Sequence, residues 1–92
     1  MTLKLSSHGT SFATRGRARE LMQNVAEGGP EVHVDLAGAV ASPSFLAELL
    51  GMLAQQFDSV VVTGASDHLA DVVKHLARQL DLERQVRLAQ VA

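Results

Sequence analysis

The apolar residues of this chain alternate between two spacings, and that alternation constrains the fold more than any other feature. In the segment EVHVDL, residues 31–36, every second residue is apolar, which predicts a β-strand with one apolar and one polar face. The stretch that follows places its leucines three and four residues apart, which predicts an amphipathic helix from about Pro43 to Gln56. Strands that alternate with helices are typical of an α/β fold with a mostly parallel sheet.

The residues before the strand at 31–36 show the same two apolar spacings. Leu3 and Leu5 flank a lysine and predict a short first strand, and the polar segment 6–12 predicts a loop. Thr14 is the expected N-cap of a first helix, because the apolar residues after it recur at helical spacing. The glycines and the proline at 28–30 are expected to end that helix.

The residues after the helix at 43–56 complete the predicted architecture. Consecutive valines in segment 59–63 predict the most buried strand, Ser66 is expected to begin a further helix, and segment 85–92 fits a short strand slightly better than a helix. Because β-α-β connections are right-handed, strands added in one direction place their helices on one side of the sheet. The sequence therefore predicts a single domain over residues 1–92. It is a two-layer α/β sandwich with a mostly parallel sheet of three to four strands, three helices mainly on one face, and the other face open.

Composition narrows the classes of function. The chain has 8 basic and 10 acidic side chains, a net charge of −2, and no long run of either sign, which argues against a nucleic-acid partner. It has no cysteine, which excludes a disulfide framework, a thiolate zinc site and a thiol nucleophile. The sequence shows no signal-peptide pattern and no apolar segment that would span a bilayer, so we expect a cytoplasmic protein without a membrane partner.

The patterns that would indicate an enzyme or a bound cofactor are incomplete. The segment VVVTGAS resembles the start of a dinucleotide-binding turn but lacks the two further glycines that such a turn requires. His68 and His75 lie about 10 Å apart along a helix, too far to share one metal ion. Ser44 is not in a G-x-S-x-G nucleophile elbow. We therefore expect no catalytic residue, no metal and no cofactor.

Two serines flank Pro43 at the expected start of the helix over 43–56. Ser42 followed by proline is a typical helix start, with a hydroxyl N-cap and a first residue that has no N–H to satisfy. Ser44 adds little to such a cap. A phosphate on Ser44 would meet free N–H groups and the positive end of the helix dipole. Ser44 is thus either an inert first-turn serine or a residue through which a partner is controlled.

The order of strand, D-L-x-G, serine-containing turn, amphipathic helix and V-V-V strand resembles the STAS domain, which is found in anti-sigma factor antagonists and in the cytoplasmic part of sulphate transporters. FATRGRARELMQNV followed by VHVDLAGAVASPSFLAELLGML is similar to the short STAS-like proteins of largely unassigned function. Arg15 matches their arginine at the start of the first helix, Asp35 their acidic residue after the second strand, and Ser44 and Phe45 their S-F pair. The resemblance covers residues 12–80.

The resemblance implies how such a module would work. In the antagonist branch a partner kinase phosphorylates the serine that Ser44 matches, and phosphorylation releases the partner. Ser42 stands where antagonists have an aspartate, and Phe45 where they have a glycine. The resemblance therefore implies a bacterial, non-enzymatic regulatory module that associates with a kinase-like ATPase or an anti-sigma factor. The turn 41–45 and the helix after it would be the contact surface.

Other interpretations stay open at this point. Arg15 lies either on a solvated helix face or against an anion or an acidic partner. A small ligand-binding or enzymatic domain could use the carboxyl ends of the strands, near Asp35 and Ser44, where open α/β sheets bind ligands. A self-associating subunit, such as a homodimer, could instead bury the open sheet face on which His33 is expected.

Overall fold

A computed structural model describes residues 2–23, 25 and 28–89. Besides a 3-10 turn at Leu5–Ser7, the helices and strands of the described residues are, in chain order, β1 (Thr2–Lys4), β2 (Ser11–Phe12), α1 (Arg15–Met22), β3 (Gly29–Asp35), β4 (Val40–Ala41), α2 (Pro43–Gln56), β5 (Phe57–Thr63), α3 (Asp67–Gln79) and β6 (Val86–Leu88). One helix lies between each successive pair of the strands β1, β3, β5 and β6, as the apolar spacing predicted, and the two short strands β2 and β4 are additional.

Four of the strands form the main sheet in the order β1-β3-β5-β6, and every neighbouring pair is parallel. At the centre of the sheet, Val32 lies beside Val60 and Val34 beside Val62. Each connection between successive strands of this sheet carries one helix and moves one position further in the same direction, so the helices lie on the same face. The predicted two-layer α/β sandwich is confirmed.

Each helix begins at a side-chain cap, which explains why these segments start where they do. A hydroxyl accepts a hydrogen bond from the backbone N–H three residues ahead, which satisfies one of the free donors of the first turn. The three predicted helix starts are confirmed by the caps Thr14 to Arg17 at 3.1 Å, Ser42 to Phe45 at 3.1 Å, and Ser66 to Leu69 at 3.2 Å.

The end of α1 differs from the prediction. The helix ends at Met22, before the glycines and the proline that were expected to end it, and Gly29 and Pro30 instead open β3. Gly28 precedes them with φ of +29°, and a Cβ on it would lie 3.0 Å from the carbonyl oxygen of Gln56. These residues therefore shape the start of the strand rather than the end of the helix.

The segment predicted as a loop, 6–12, also differs from the prediction. Its last residues form β2, which pairs in parallel with β4 to make a small second sheet. Strands of two residues carry no periodic signal, so the apolar spacing could not reveal them. β6 confirms a strand in the last segment at 86–88, whereas residues 90–92 of that segment lie outside the described residues.

The core lies between the main sheet and the helices. The sheet contributes alternate residues of β3 and of β5, and α2 contributes its leucines at helical spacing. The residues on these elements that are 1% exposed or less are Val32, Val34, Phe45, Leu46, Leu49, Leu50, Leu53, Val60 and Val62. α2 is thus the central helix, buried along one whole side.

The opposite face of the sheet is polar, as predicted. His33 lies beside Val61, and Val61 lies beside Arg87 on the next strand. The Glu31 carboxylate contacts both His33 and Arg87, which flank Val61. Its Oε1 lies 2.6 Å from His33 Nε2, and its Oε2 lies 3.4 Å from an Arg87 nitrogen. Val61 is only 5% exposed although no helix covers this face. The charged side chains around it therefore shield it from water.

Truncation of a core leucine of α2 tests the assigned buried face. Leu49→Ala should lower the free energy of unfolding by about 2 to 5 kcal/mol, because Leu49 is fully buried and the surrounding side chains relax only partly into the cavity. Gln55→Ala, at an exposed position of the same helix, should change it by less than about 0.5 kcal/mol. Equal losses for Leu49→Ala and Gln55→Ala in urea unfolding would show that the buried face of α2 is wrongly assigned.

Candidate functional site

Ser42 joins the start of α2 to the rest of the fold. Its backbone N–H donates to the carbonyl of Phe12 at 2.9 Å. Its hydroxyl donates to the carbonyl of Ala13 at 3.0 Å and accepts from the N–H of Phe45 at 3.1 Å. One side chain therefore caps the helix and ties it to the connection between β2 and α1. Sequence predicted the cap, but not the second bond.

Phe45 is a core residue. Its side chain is fully buried, and its ring packs against that of Phe12 with centroids 5.1 Å apart and planes tilted by 40°. The sequence interpretation placed Phe45 among the residues that contact a partner. A fully buried ring offers no surface to a partner, so we leave its side chain out of the candidate site.

Ser44 has a different environment from Ser42. It is exposed at the second position of α2, and the hydroxyl bonds that hold this turn to described residues are those of Ser42. The first turn of α2 contains no acidic residue. The positive end of the helix dipole is therefore not offset by a carboxylate beside Ser44.

Asp35 shapes the turn after β3. Its Oδ1 accepts from the N–H of Ala37 at 2.9 Å, which is the local bond that aspartate commonly makes in turns. The backbone of Gly64 lies so close that a Cβ there would be 2.6 Å from this oxygen and 2.8 Å from the nitrogen of Ala37. Gly64 also has φ of +68°, so it is the residue that allows the ends of β3 and β5 to approach. The hydrogen bond gives Asp35 a structural role.

Arg15 contacts an anion of its own chain. Its guanidinium lies 3.0 Å from Oε2 of Glu48, and Arg19 Nε lies 3.4 Å from Oε1 of the same carboxylate. Glu48 is the sole charged side chain of α2, and its side chain is 23% exposed whereas that of Arg15 is 53% exposed. The two arginines therefore link α1 to α2 through one carboxylate. Sequence singled out Arg15 but not its partner, although a lone charge in an apolar helix was a usable signal.

The Arg15–Glu48 contact has an electrostatic consequence. The hydrogen bond from Arg15 holds the pKa of Glu48 below its usual 4.5, partial burial acts in the opposite direction, and the positive charge of Arg19 lowers it further. The carboxylate is therefore ionised throughout the neutral range, with both arginines beside it.

Arg17 fixes the loop before β2. It donates to the carbonyl of His8, lies 5.3 Å above the ring of Phe12, and pairs with Glu20 at 3.1 Å. Its position in the first turn of α1 is unfavourable for a cation, which is a signal that the side chain has a compensating partner. Arg17 holds in place the segment to which Ser42 is bonded.

No protein-family model, no curated protein sequence and no solved structure significantly matches this chain. Within residues 2–23, 25 and 28–89, no group of three or more histidine and acidic side chains is placed to hold a metal ion. None of the helices in the described part of the chain is long and apolar enough to cross a membrane. The proposal for the function of this chain therefore rests mainly on the geometry of the turn formed by residues 41–44.

Replacement of the two serine caps should give unequal losses of stability. Ser42→Ala should lower the free energy of unfolding by about 0.5 to 2 kcal/mol for the lost cap, with a further loss from the unpaired Ala13 carbonyl. Ser66→Ala removes the same kind of cap from α3 and serves as the matched control. Chemical unfolding of both variants measures the difference. A larger loss for Ser66→Ala would contradict the double role of Ser42.

The Glu48 carboxylate should make stability depend on acid pH. Because its pKa is lower in the folded state than in the unfolded state, its contribution is complete above about 4.5 and is lost as the pH falls through the folded-state value. The stability difference between the native protein and Glu48→Gln should therefore shrink between pH 7 and pH 3. In an Arg15→Gln background the same difference should vary less with pH. A difference independent of pH in both backgrounds would contradict the assigned ion pair.

Proposed function

We propose that this chain is a STAS-like, non-enzymatic regulatory module that binds a protein partner through the turn at 41–44, and that a negative charge on Ser44 releases that partner. The observation that carries the proposal is the unequal use of the two serines. Ser42 makes the bonds that start and anchor α2, whereas Ser44 is exposed beside it. The Ser44 hydroxyl forms no hydrogen bond with another described residue, which makes it available for modification and contact.

The electrostatics of the turn support a switch that leaves the fold intact. A negative charge on Ser44 would lie at the positive end of α2, whose first turn has no carboxylate. The isolated domain should therefore tolerate phosphorylation. At an interface the same charge would have to be desolvated or paired, and an unpaired buried charge weakens association strongly.

The apolar surface next to the turn supports a protein partner. Val40, on the strand that leads into the turn, is 70% exposed, the greatest exposure of any large apolar side chain in the described residues. Pro43 is exposed between the two serines. The fully buried centre of a protein interface is more apolar than its rim, and charged residues are depleted there. We therefore include Val40, Pro43 and Ser44 in the proposed contact surface.

The class of partner follows from the resemblance given above. In that family a partner kinase phosphorylates the switch serine, and phosphorylation releases the partner. We therefore propose a kinase-like ATPase or an anti-sigma factor as the partner of this chain. The α/β fold and the serines at the start of α2 are consistent with such a role in a bacterial cytoplasm. The polar side chains over Val61 argue against burial of the open sheet face in a homodimer.

The test is a change of charge at Ser44 with a matched control. Ser44→Asp should shift the melting temperature little, since a charge at this helix end is worth about 0.3 to 1 kcal/mol in the stabilising direction. Partner affinity should fall by about 2 kcal/mol, roughly thirtyfold. Pull-downs from a lysate of the native host, compared by isotope labelling, would identify the proteins that bind the immobilised native chain but not the Ser44→Asp variant. Titration calorimetry with the purified partner would then give the affinities.

Two further variants separate contact from folding. Gln79→Glu adds one negative charge at an exposed position of α3, and it should retain the partner. Val40→Ser removes the exposed apolar side chain without a charge, and it should weaken the same partner while leaving stability nearly unchanged. The proposal fails if Ser44→Asp, Val40→Ser and Gln79→Glu retain the same proteins with equal affinity.

A further inference from the structure

β6 is a free edge of the main sheet. It pairs with β5 on one side, and no described strand pairs with its other side. An open edge presents backbone N–H and C=O groups to which another extended chain can bond. The strand is only three residues long, so few such groups are available.

The register between β5 and β6 identifies which backbone groups of β6 point outward. The carbonyl of Gln85 accepts from Val60, and the N–H of Ala89 donates to Val62, so Arg87 between them directs its backbone groups toward β5. The backbone groups of Val86 and Leu88 point the opposite way. The N–H of Val86 donates to the carbonyl of Leu82 at 2.9 Å. The carbonyl of Val86 and both backbone groups of Leu88 therefore face outward.

The two faces beside this edge have different chemistry. On the helix side, a groove of about 470 Å³ lies between β6 and α3, with Val73 and Ala77 buried along it. Its exposed charged side chains on this side are Lys74, Arg78 and Glu83, so cations outnumber carboxylates by two to one. These two cations form no ion pair with a described residue. On the open face, Arg87 projects from the middle of the strand, and it is 64% exposed although one of its nitrogens lies 3.4 Å from Glu31 Oε2.

We propose that the outer edge of β6 binds an extended segment of a partner protein in which apolar and acidic residues alternate. The segment adds a strand to the sheet through the carbonyl of Val86 and the backbone of Leu88. Its apolar side chains lie beside Val86 and Leu88 on the helix side, because successive side chains of a strand point to opposite faces. Its intervening carboxylate lies beside Arg87, and Lys74 and Arg78 attract its acidic flanks.

Charge decides against a second copy of this chain as the occupant. The other free edge of the sheet is β1, in which Thr2 and Lys4 share the open face with His33 and Asp35. Joining β1 of one copy to β6 of another would bring Lys4 to the face that carries Arg87. Like charges at such a junction are destabilising, whereas an acidic segment is complementary. This surface is separate from Ser44, so its failure would leave the proposed function untouched.

The test uses a short fluorescent peptide in which valine and glutamate alternate, with a valine–lysine peptide as the control. Fluorescence anisotropy at about 0.15 M salt, where distant surface charges are screened, measures both affinities. The valine–glutamate peptide should bind saturably and at least about tenfold more tightly than the control peptide. Binding should also slow hydrogen exchange of the Leu88 amide, which points outward in the free protein.

A matched pair of variants assigns the binding to this edge. Arg78→Glu should weaken the valine–glutamate peptide about tenfold, whereas Arg84→Glu, the same charge change at an exposed position outside the groove, should weaken it by less than about threefold. The proposal is overturned if the acidic peptide does not bind, if both peptides bind equally, or if the two variants behave alike. Peptide binding without protection of the Leu88 amide would overturn strand addition as well.

Discussion

The hydroxyl of Ser42 fixes where the central helix α2 begins and attaches that helix to the rest of the domain. It accepts from the first turn of α2 and donates to Ala13, so it fixes the central helix to the connection between β2 and α1. In the first turn of α2, the ring of Phe45 packs against the ring of Phe12, and the guanidinium of Arg17 lies over the Phe12 ring. α2 supplies a large part of the core. The direction in which α2 leaves this turn therefore determines how the helix packs on the sheet.

This anchoring also explains why the outer side of the turn is available for contact. The bonds that hold α2 point inward from Ser42 and Phe45, and the link from α1 is made further along the helix at Glu48. The side chains of Ser44, Pro43 and Val40 are exposed on the outer side of the turn. A rigid base with an exposed serine on it is what a charge-controlled contact requires, since the modification must change the surface without loosening the core.

Sequence predicted those parts of the fold that bury one continuous face. α2 and α3 were predictable because their apolar spacing follows directly from packing one side against the core, and β5 was predictable from its run of three valines. β2 and β4 are too short for any period, and the Arg15–Glu48 pair depends on tertiary approach between residues 33 positions apart. Phe45 was mistaken for a surface residue although it lies four residues before Leu49, on the same apolar side of α2. The role of Gly64 depends on how close two strand ends come, which spacing does not encode.

A double-mutant cycle at positions 42 and 44 tests most directly whether structural and contact roles are divided between the two serines. The free energy of unfolding would be measured for the native protein, Ser42→Ala, Ser44→Ala and the double variant. We expect Ser44→Ala to change stability by less than about 0.5 kcal/mol in both backgrounds, so that the effects add. A loss above about 1 kcal/mol for Ser44→Ala in the Ser42→Ala background would show that Ser44 is a reserve cap and contradict the division.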